Sequence, residues 1–280
     1  MKSGFAVLIG RSNVGKSTLL NALVGSKIAI TTPKAQTTRH NIQGVLTEER
    51  GQIVFVDTPG VLQKKDILTK KLLNKVKESL NEIDVVIYVV DPTRSIGDEE
   101  KQLMHLVANV KVPKILVINK IDEQRRPYHE YYLDLADQFD HLIELSALRG
   151  THIGGLKNLI FELLPEGELF YPEGQLTNLP NDFWIAELIR EKLFLRLRQE
   201  LPYQTHVVVD EIDDREDMIY VKARILTLDE RHQRMIIGTG GRGVKEVGQS
   251  TRKELEGAMG KKIYLDLNVE VDKHWMDQFI

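Results

Sequence analysis

Short apolar runs alternate with amphipathic stretches through the first 165 residues or so. The runs are Phe5–Ile9, Ile53–Val56, Val85–Val90, Lys114–Ile118 and His141–Leu145. Nearly continuous apolar runs between helical segments are what strands buried on both faces require. They predict a mostly parallel sheet with helices packed on each side. The segment Gly154–Leu164 predicts a last helix, stopped by Pro165. From Pro165 to about Pro180 the chain is rich in Pro and Gly and keeps no period, the composition of a linker.

After Pro180 the rhythm changes. Asn181 or Asp182 is placed to cap a helix whose apolar face carries Ile185, Leu188, Ile189 and Leu193. Two strand-like runs follow, Thr205–Ile212 and Met218–Leu226, separated by an acidic turn. A short apolar run, Met235–Ile237, leads into Gly238-Thr239-Gly240-Gly241. A helix from Arg242 to about Ala258 and a strand over Lys262–Val271 complete the chain. The order α-β-β-α-α-β describes an α+β domain. The expected division is therefore an α/β domain over 1–166, a linker over 167–180 and an α+β domain over 181–280.

Bulk properties fit two soluble domains. A chain of 280 residues exceeds what one core comfortably supports, and 42% hydrophobic with 28% charged residues is ordinary globular composition. The chain has no cysteine, which excludes disulfides and thiolate metal sites and fits a reducing compartment. No apolar run is long enough to span a bilayer, and the N-terminus shows no secretory pattern. A formal net charge of −3 carries no global signal for nucleic acid, so any such signal must be local.

A motif for binding phosphates lies near the start. Gly10-Arg11-Ser12-Asn13-Val14-Gly15-Lys16-Ser17-Thr18 follows the strand AVLI and opens the helix TLLNALVG. That spacing, G-x-x-x-x-G-K-S between strand and helix, curls successive backbone N–H groups around phosphate oxygens at a helix N-terminus. Asn13 to Thr18 are the expected phosphate contacts. Lys16 neutralises the β- and γ-phosphates and Ser17 ligates Mg²⁺. Asp57-Thr58-Pro59-Gly60 ends the strand IVFV. Its Asp57 can hold Mg²⁺ through water, and Gly60 can present its N–H to the γ-phosphate. Asn119-Lys120-Ile121-Asp122 ends the strand ILVI. The Asp122 carboxylate matches the N1–H and N2–H₂ donors of guanine and has no counterpart on adenine. Lys120 can lie along the base plane while Asn119 braces the loop. Ser146-Ala147-Leu148, after LIEL, can offer a backbone N–H to guanine O6.

Four motifs in this order, each at a strand end, resemble the GTPase signature and imply a P-loop GTPase domain of Ras-like fold. In that frame Thr37 and Thr38 fall where the first switch lies. Thr38 is the first choice for a Mg²⁺ ligand and a catalytic contact, with Thr37 second. Lys16, Thr38 and Gly60 are thus the expected catalytic set, and Ser17, Thr38 and Asp57 the metal set. Ras-like proteins place a glutamine after the DxxG glycine. Here Val61 occupies that position and cannot hydrogen-bond water, which implies slow intrinsic turnover. Asn13 resembles the asparagine with which related GTPases hold a potassium ion beside the phosphates, so K⁺ joins GTP, GDP and Mg²⁺ among the expected cofactors.

In the second half, Ile236-Ile237-Gly238-Thr239-Gly240-Gly241-Arg242-Gly243-Val244-Lys245 resembles the IGxxG core of a type II KH domain. A tight turn without bulk lets a nucleic-acid backbone approach the N–H groups. Ile237 to Arg242 and Lys245 are the expected RNA contacts. Between Arg231 and Lys262 lie eight basic residues (Arg231, Arg234, Arg242, Lys245, Arg252, Lys253, Lys261, Lys262) against Glu246, Glu254 and Glu256, a local basic strip.

The combination of GRSNVGKSTLLN, KAQTTRH, DTPG, NKID, SAL and the later IIGTGG, with ELPYQTHVVVDE between, is similar to the Era family of bacterial GTPases. The resemblance covers nearly the whole chain. It implies binding to the 3′ end of small-subunit ribosomal RNA under control of the GTP state, and a role in 30S subunit assembly. It also implies a cytoplasmic protein with room for a peripheral membrane contact; a monomer is expected. Thr239 departs from the GKGG often seen in that family and removes one positive charge. A P-loop kinase or ATPase, another ribosome-assembly GTPase, and an RNA-binding protein with a structural nucleotide site stay open as alternatives.

Overall fold

The computed structural model describes residues 1–32, 34, 41–59, 78–80, 82–197 and 201–275. They divide into two compact units, Met1–Asn178 and Leu179–Ile280.

The first unit is built on a six-stranded sheet ordered β2-β3-β1-β4-β5-β6. The strands are β1 (Lys2–Ile9), β2 (Ile42–Glu48), β3 (Gly51–Asp57), β4 (Val85–Val90), β5 (Lys114–Ile118) and β6 (His141–Glu144). All neighbours run parallel except β2, which pairs antiparallel with β3. Every residue of β4 is buried, as its unbroken VVIYVV run requires. Described helices are α1 (Lys16–Val24), α2 (Asp98–Ala108), α3 (His129–Leu133) and α4 (Ile153–Leu163). Leu103 and Val107 of α2 and Tyr132 of α3 pack on Val86, Tyr88 and Leu116 of the sheet. The edge strand β2 has no counterpart among the apolar runs. Its IQGVLTE places buried residues at 42, 44 and 45, which breaks the two-residue period.

Residues 167–178, with the composition of a linker, run along β2 and β3. Gln52, fully buried, holds them: its Oε1 accepts the N–H groups of Phe170 and Tyr171 at 2.9 Å each. Its Nε2 donates to Tyr171 O and Thr47 Oγ1, also at 2.9 Å. Both amide donors and two acceptor sites are thereby used, which removes the cost of burying the group. A bridge from Thr177 to Gly44 and an edge-on contact of Phe170 with Phe5 extend the attachment.

The second unit contains α5 (Asn181–Arg196), β7 (Thr205–Asp214), β8 (Met218–Thr227), α6 (Glu230–Ile237), α7 (Arg242–Met259) and β9 (Lys262–Val271). Its sheet is ordered β7-β8-β9, antiparallel then parallel. Pro180, not Asn181 or Asp182, occupies the cap position of α5, since its fixed φ of −67° suits the residue entering a helix. Asp229 caps α6 by accepting the His232 N–H at 2.8 Å.

Candidate nucleotide site and nucleic-acid interface

Because β1, β3, β4, β5 and β6 are parallel, their carboxyl ends share one edge of the sheet. The loops leaving that edge carry the sequence motifs, the usual place for a ligand in an open α/β sheet. A cavity of about 530 Å³ opens there, lined among others by Ser12, Asn13, Gly15, Thr18, Asn119, Lys120, Asp122, Ala147 and Leu148.

Gly10–Gly15 turns each of its carbonyls onto a donor. Lys16 Nζ donates to Gly10 O at 2.9 Å and to Arg11 O at 3.0 Å. Arg94 Nη1 reaches Ser12 O at 2.8 Å, Lys120 Nζ reaches Asn13 O at 3.1 Å, and Asn119 Nδ2 reaches Val14 O at 2.9 Å. Gly15 O accepts the Leu19 N–H at 2.8 Å, the first bond of α1. In a planar trans peptide the N–H points opposite its carbonyl, so a loop with tethered carbonyls is preset to offer N–H groups to an anion. Gly15 is obligatory in this loop. Its φ is +100°, and a Cβ there would lie 2.3 Å from Asn119 Nδ2.

Lys16 is buried, and burial lowers its pKa to about 8, against the opposing pull of Asp57 and Glu100. Ser17 and Asp57 meet: the Ser17 hydroxyl donates to Asp57 Oδ2 at 2.5 Å. Asp57 is fully buried at the end of β3, where Thr58 Oγ1 donates to Leu8 O at 2.8 Å. Hydroxyl and carboxylate oxygen side by side are a fitting pair for Mg²⁺, which takes few protein oxygens and completes its shell with phosphate and water.

On the far side of the cavity Asn119 is the keystone. While its Nδ2 holds Val14 O, its Oδ1 accepts the Ala147 N–H at 2.9 Å, so one buried side chain joins two loops. Lys120, in the left-handed region at φ 63°, also contacts Asp91 Oδ2 at 2.5 Å. Asp122 Oδ1 accepts the Ser146 hydroxyl at 2.5 Å, which fixes the carboxylate and leaves it acceptor capacity. Leu148 is 72% exposed at the rim.

Thr37, Thr38, Gly60 and Val61 lie outside the described residues. Asp91, Thr93 and Arg94 line the cavity as well and carry no motif. Their one signal is position: Asp91-Pro92-Thr93-Arg94 directly follows β4 at the same sheet edge.

In the second unit, Gly238–Gly241 joins α6 to α7. Gly238, Gly240 and Gly241 have φ of 71°, 60° and 76°, which favours glycine at all three. Gly243 permits the close approach of the two helices, since a Cβ there would lie 2.2 Å from Ile236 O. Thr239, Gly240, Arg242 and Lys245 are exposed, and Ile237 and Gly241 are half-buried. The eight basic residues are spread over several elements: Arg231 and Arg234 on α6, Arg242, Lys245, Arg252 and Lys253 on α7, Lys261 just after it and Lys262 at the start of β9. The 18 residues of α7 span about 27 Å, so Lys261 and Lys262 sit at the end away from the turn and Arg252 and Lys253 near the middle. Of these, Lys261 pairs with Asp214 at 2.7 Å and Arg252 with Glu256 at 3.9 Å.

The family model described as 50S ribosome-binding GTPase matches residues 5–120, and the KH domain model matches residues 200–276. The GTPase Era of Carboxydothermus hydrogenoformans is 46% identical over 99% of this chain and 95% of its own length. That of Halothermothrix orenii is 40% identical, with coverage of 99% and 95%. A crystal structure of Era in complex with MgGDPNP and nucleotides 1506–1542 of 16S ribosomal RNA is similar with a TM-score of 0.91 and 35% identity. It is covered to 95%, and covers 98% of this chain. An Aquifex aeolicus Era variant bound to GDP·AlF4⁻ aligns with a TM-score of 0.90 at 36% identity, with the same coverage.

Proposed function

The chain belongs to the Era family of GTPases, and on that premise we propose that it is a GTP-operated switch binding the 3′ end of small-subunit ribosomal RNA through its KH module during 30S assembly. The observation that carries this reading is that the phosphate loop and the Asn119–Asp122 loop line one cavity, with Lys16 and the Ser17–Asp57 pair held at the base of that loop.

In this reading the N–H groups of Asn13–Thr18 hold the phosphates, and Lys16 leaves its loop carbonyls to meet their charge. Ser17 and Asp57, with Thr38, hold Mg²⁺, which offsets charge on the phosphoryl oxygens. Asp122 selects guanine, Lys120 lies along the base, and the Ser146–Leu148 loop supplies N–H to O6. Gly60 reports the γ-phosphate. Val61 makes turnover slow, and Asn13, beside the cavity, supports a K⁺ ion there. Potassium should then accelerate hydrolysis over sodium and Asn13→Ala should remove the difference; equal rates in both salts would exclude the ion.

The Gly238–Gly241 turn with Ile237, Arg242 and Lys245 receives the RNA backbone. GTP ordering Thr38 and Gly60 changes the affinity of this module for RNA, and hydrolysis releases the assembled subunit. The protein acts as a cytoplasmic monomer. No helix among the described residues is long and apolar enough to cross a membrane, so a membrane contact would be peripheral. Multiple-turnover GTP hydrolysis, lost in Asp57→Ala, together with RNA binding lost in a Gly238→Asp variant, tests both halves; a hydrolytically dead wild type or an active Asp57→Ala variant excludes the switch.

A further inference from the structure

Glu100 is a fully buried carboxylate outside the residues lining the cavity, and beyond its pull on Lys16 no role has been assigned to it. A carboxylate withdrawn from water is costly unless it is paired, and an apolar side chain would fill the same space more cheaply. Its partners are therefore informative. Tyr88 OH donates to Oε1 at 2.6 Å and Tyr132 OH to Oε2 at 3.3 Å, which ties α2 to β4 and α3. The remaining partner is Arg11 Nη1, 3.7 Å from Oε2.

Arg11 belongs to the phosphate loop but is itself 8% exposed and turned away from the cavity. Its guanidinium also meets Glu99 at 3.2 Å and donates from Nη1 to Ser95 O at 2.7 Å. Arg94, one residue earlier, returns the contact by donating to Ser12 O, while its own carbonyl accepts Tyr132 OH at 3.1 Å. Two arginines thus cross between the phosphate loop and the 94–95 segment, each ending on the other strand's carbonyl. Glu100 fixes one arm of the clasp.

We propose that Arg11 and Glu100 are a positioning pair for phosphate binding: Glu100 orients Arg11, and Arg11 holds the 10–15 loop with its N–H groups preset for an anion. This rests on the reading of the cavity as a nucleotide site. The pair acts on the phosphates and not on the base, because both residues lie behind the phosphate loop and neither contacts Asn119–Asp122 or Ser146–Leu148. Preset donors lower the cost of binding more than the barrier to reaction, so the pair governs KM more than kcat.

The test uses the full chain with Arg11→Lys, Glu100→Gln and the double variant, measuring GDP affinity, KM and kcat for GTP, GTP-over-ATP preference and the melting temperature without nucleotide. Loss of one charge-assisted contact predicts GDP binding weaker by about tenfold in each single variant. The double variant should lose little more than either single one. KM should rise with kcat changed less, base preference should hold, and the melting temperature should hold in Arg11→Lys, which keeps the charge beside Glu100. GDP affinity within twofold of wild type in Arg11→Lys overturns the proposal, as do additive losses or, in Arg11→Lys, a loss that tracks a fall in melting temperature. Should Glu100→Gln fail to fold, Arg11→Lys decides alone. A wild-type chain that binds no GDP would overturn the nucleotide-site reading itself, a failure visible before any variant is compared.

Discussion

Replacing Asn119 with alanine removes both halves of the brace between the phosphate loop and the Ser146–Leu148 loop. The lost bonds are 2.9 Å each, to Val14 O and from Ala147 N–H, and the side chain is 2% exposed, so water cannot readily take its place. A buried polar group left without a partner costs about 1–3 kcal/mol, which for two groups gives about 2–6 kcal/mol. The cost appears in folding stability if the loops stay in place, or in nucleotide affinity if they relax and must be reordered. The sum of the two is what the geometry fixes. Denaturant unfolding of the nucleotide-free protein and GDP titration by fluorescence measure the two parts. Asn119→Asp sharpens the test. It is nearly isosteric and keeps the acceptor for Ala147 N–H, but sets a second acceptor against Val14 O, so it should be as damaging as alanine. A combined loss under about 1 kcal/mol in Asn119→Ala would refute the brace. A harmless Asn119→Asp would show that only the volume of the side chain matters.

Three further outcomes follow from the same geometry. Burial holds Lys16 at a folded pKa of about 8, below the ordinary lysine value of 10.5; the penalty for burying the charged form is fully present below pH 8 and is relieved as the pH rises from 8 to 10.5. Phosphates restore the charge, so GDP binding should take up a proton above pH 8 and weaken about tenfold from pH 7 to 9; calorimetry in two buffers detects the uptake, and a Lys16→Met variant with the same pH profile would exclude it. Asp122→Asn, which replaces an acceptor oxygen by a donor, should cut the preference for GTP over ATP by about a hundredfold; competition binding showing an unchanged preference would contradict the base assignment. Gly243→Ala, forced against Ile236 O, should disrupt the Gly238–Gly241 turn and abolish RNA binding in a gel-shift assay while GTP hydrolysis persists; intact RNA binding would argue against the turn as the contact.

What the residues alone reveal depends on how local the physics is. The phosphate loop, Asp57, Asn119–Asp122 and Ser146–Leu148 were legible because each is a short motif at a strand end. The KH order was legible because its turn glycines and apolar runs follow one another directly. Arg11, Arg94 and Glu100 were not, since an arginine in a turn and a glutamate in the acidic run Asp98–Glu100 look like solvated surface until α2 folds back beneath the loop. Gln52 likewise looks like one polar residue in a strand, yet three of its four hydrogen bonds fasten residues 170 and 171 to β3, and the fourth goes to Thr47 of β2. The basic residues from Arg231 to Lys262 are close in sequence but are divided among α6, α7 and the start of β9.

In the proposed switch, the nucleotide state governs the RNA-binding turn. It is tested most directly by the affinity of the intact chain for an RNA matching the 3′ end of small-subunit ribosomal RNA, measured with a non-hydrolysable GTP analogue and with GDP. Coupling between two sites is typically 5- to 150-fold, and the account predicts tighter binding with the GTP analogue by about tenfold or more. Equal affinity in the two states would contradict it.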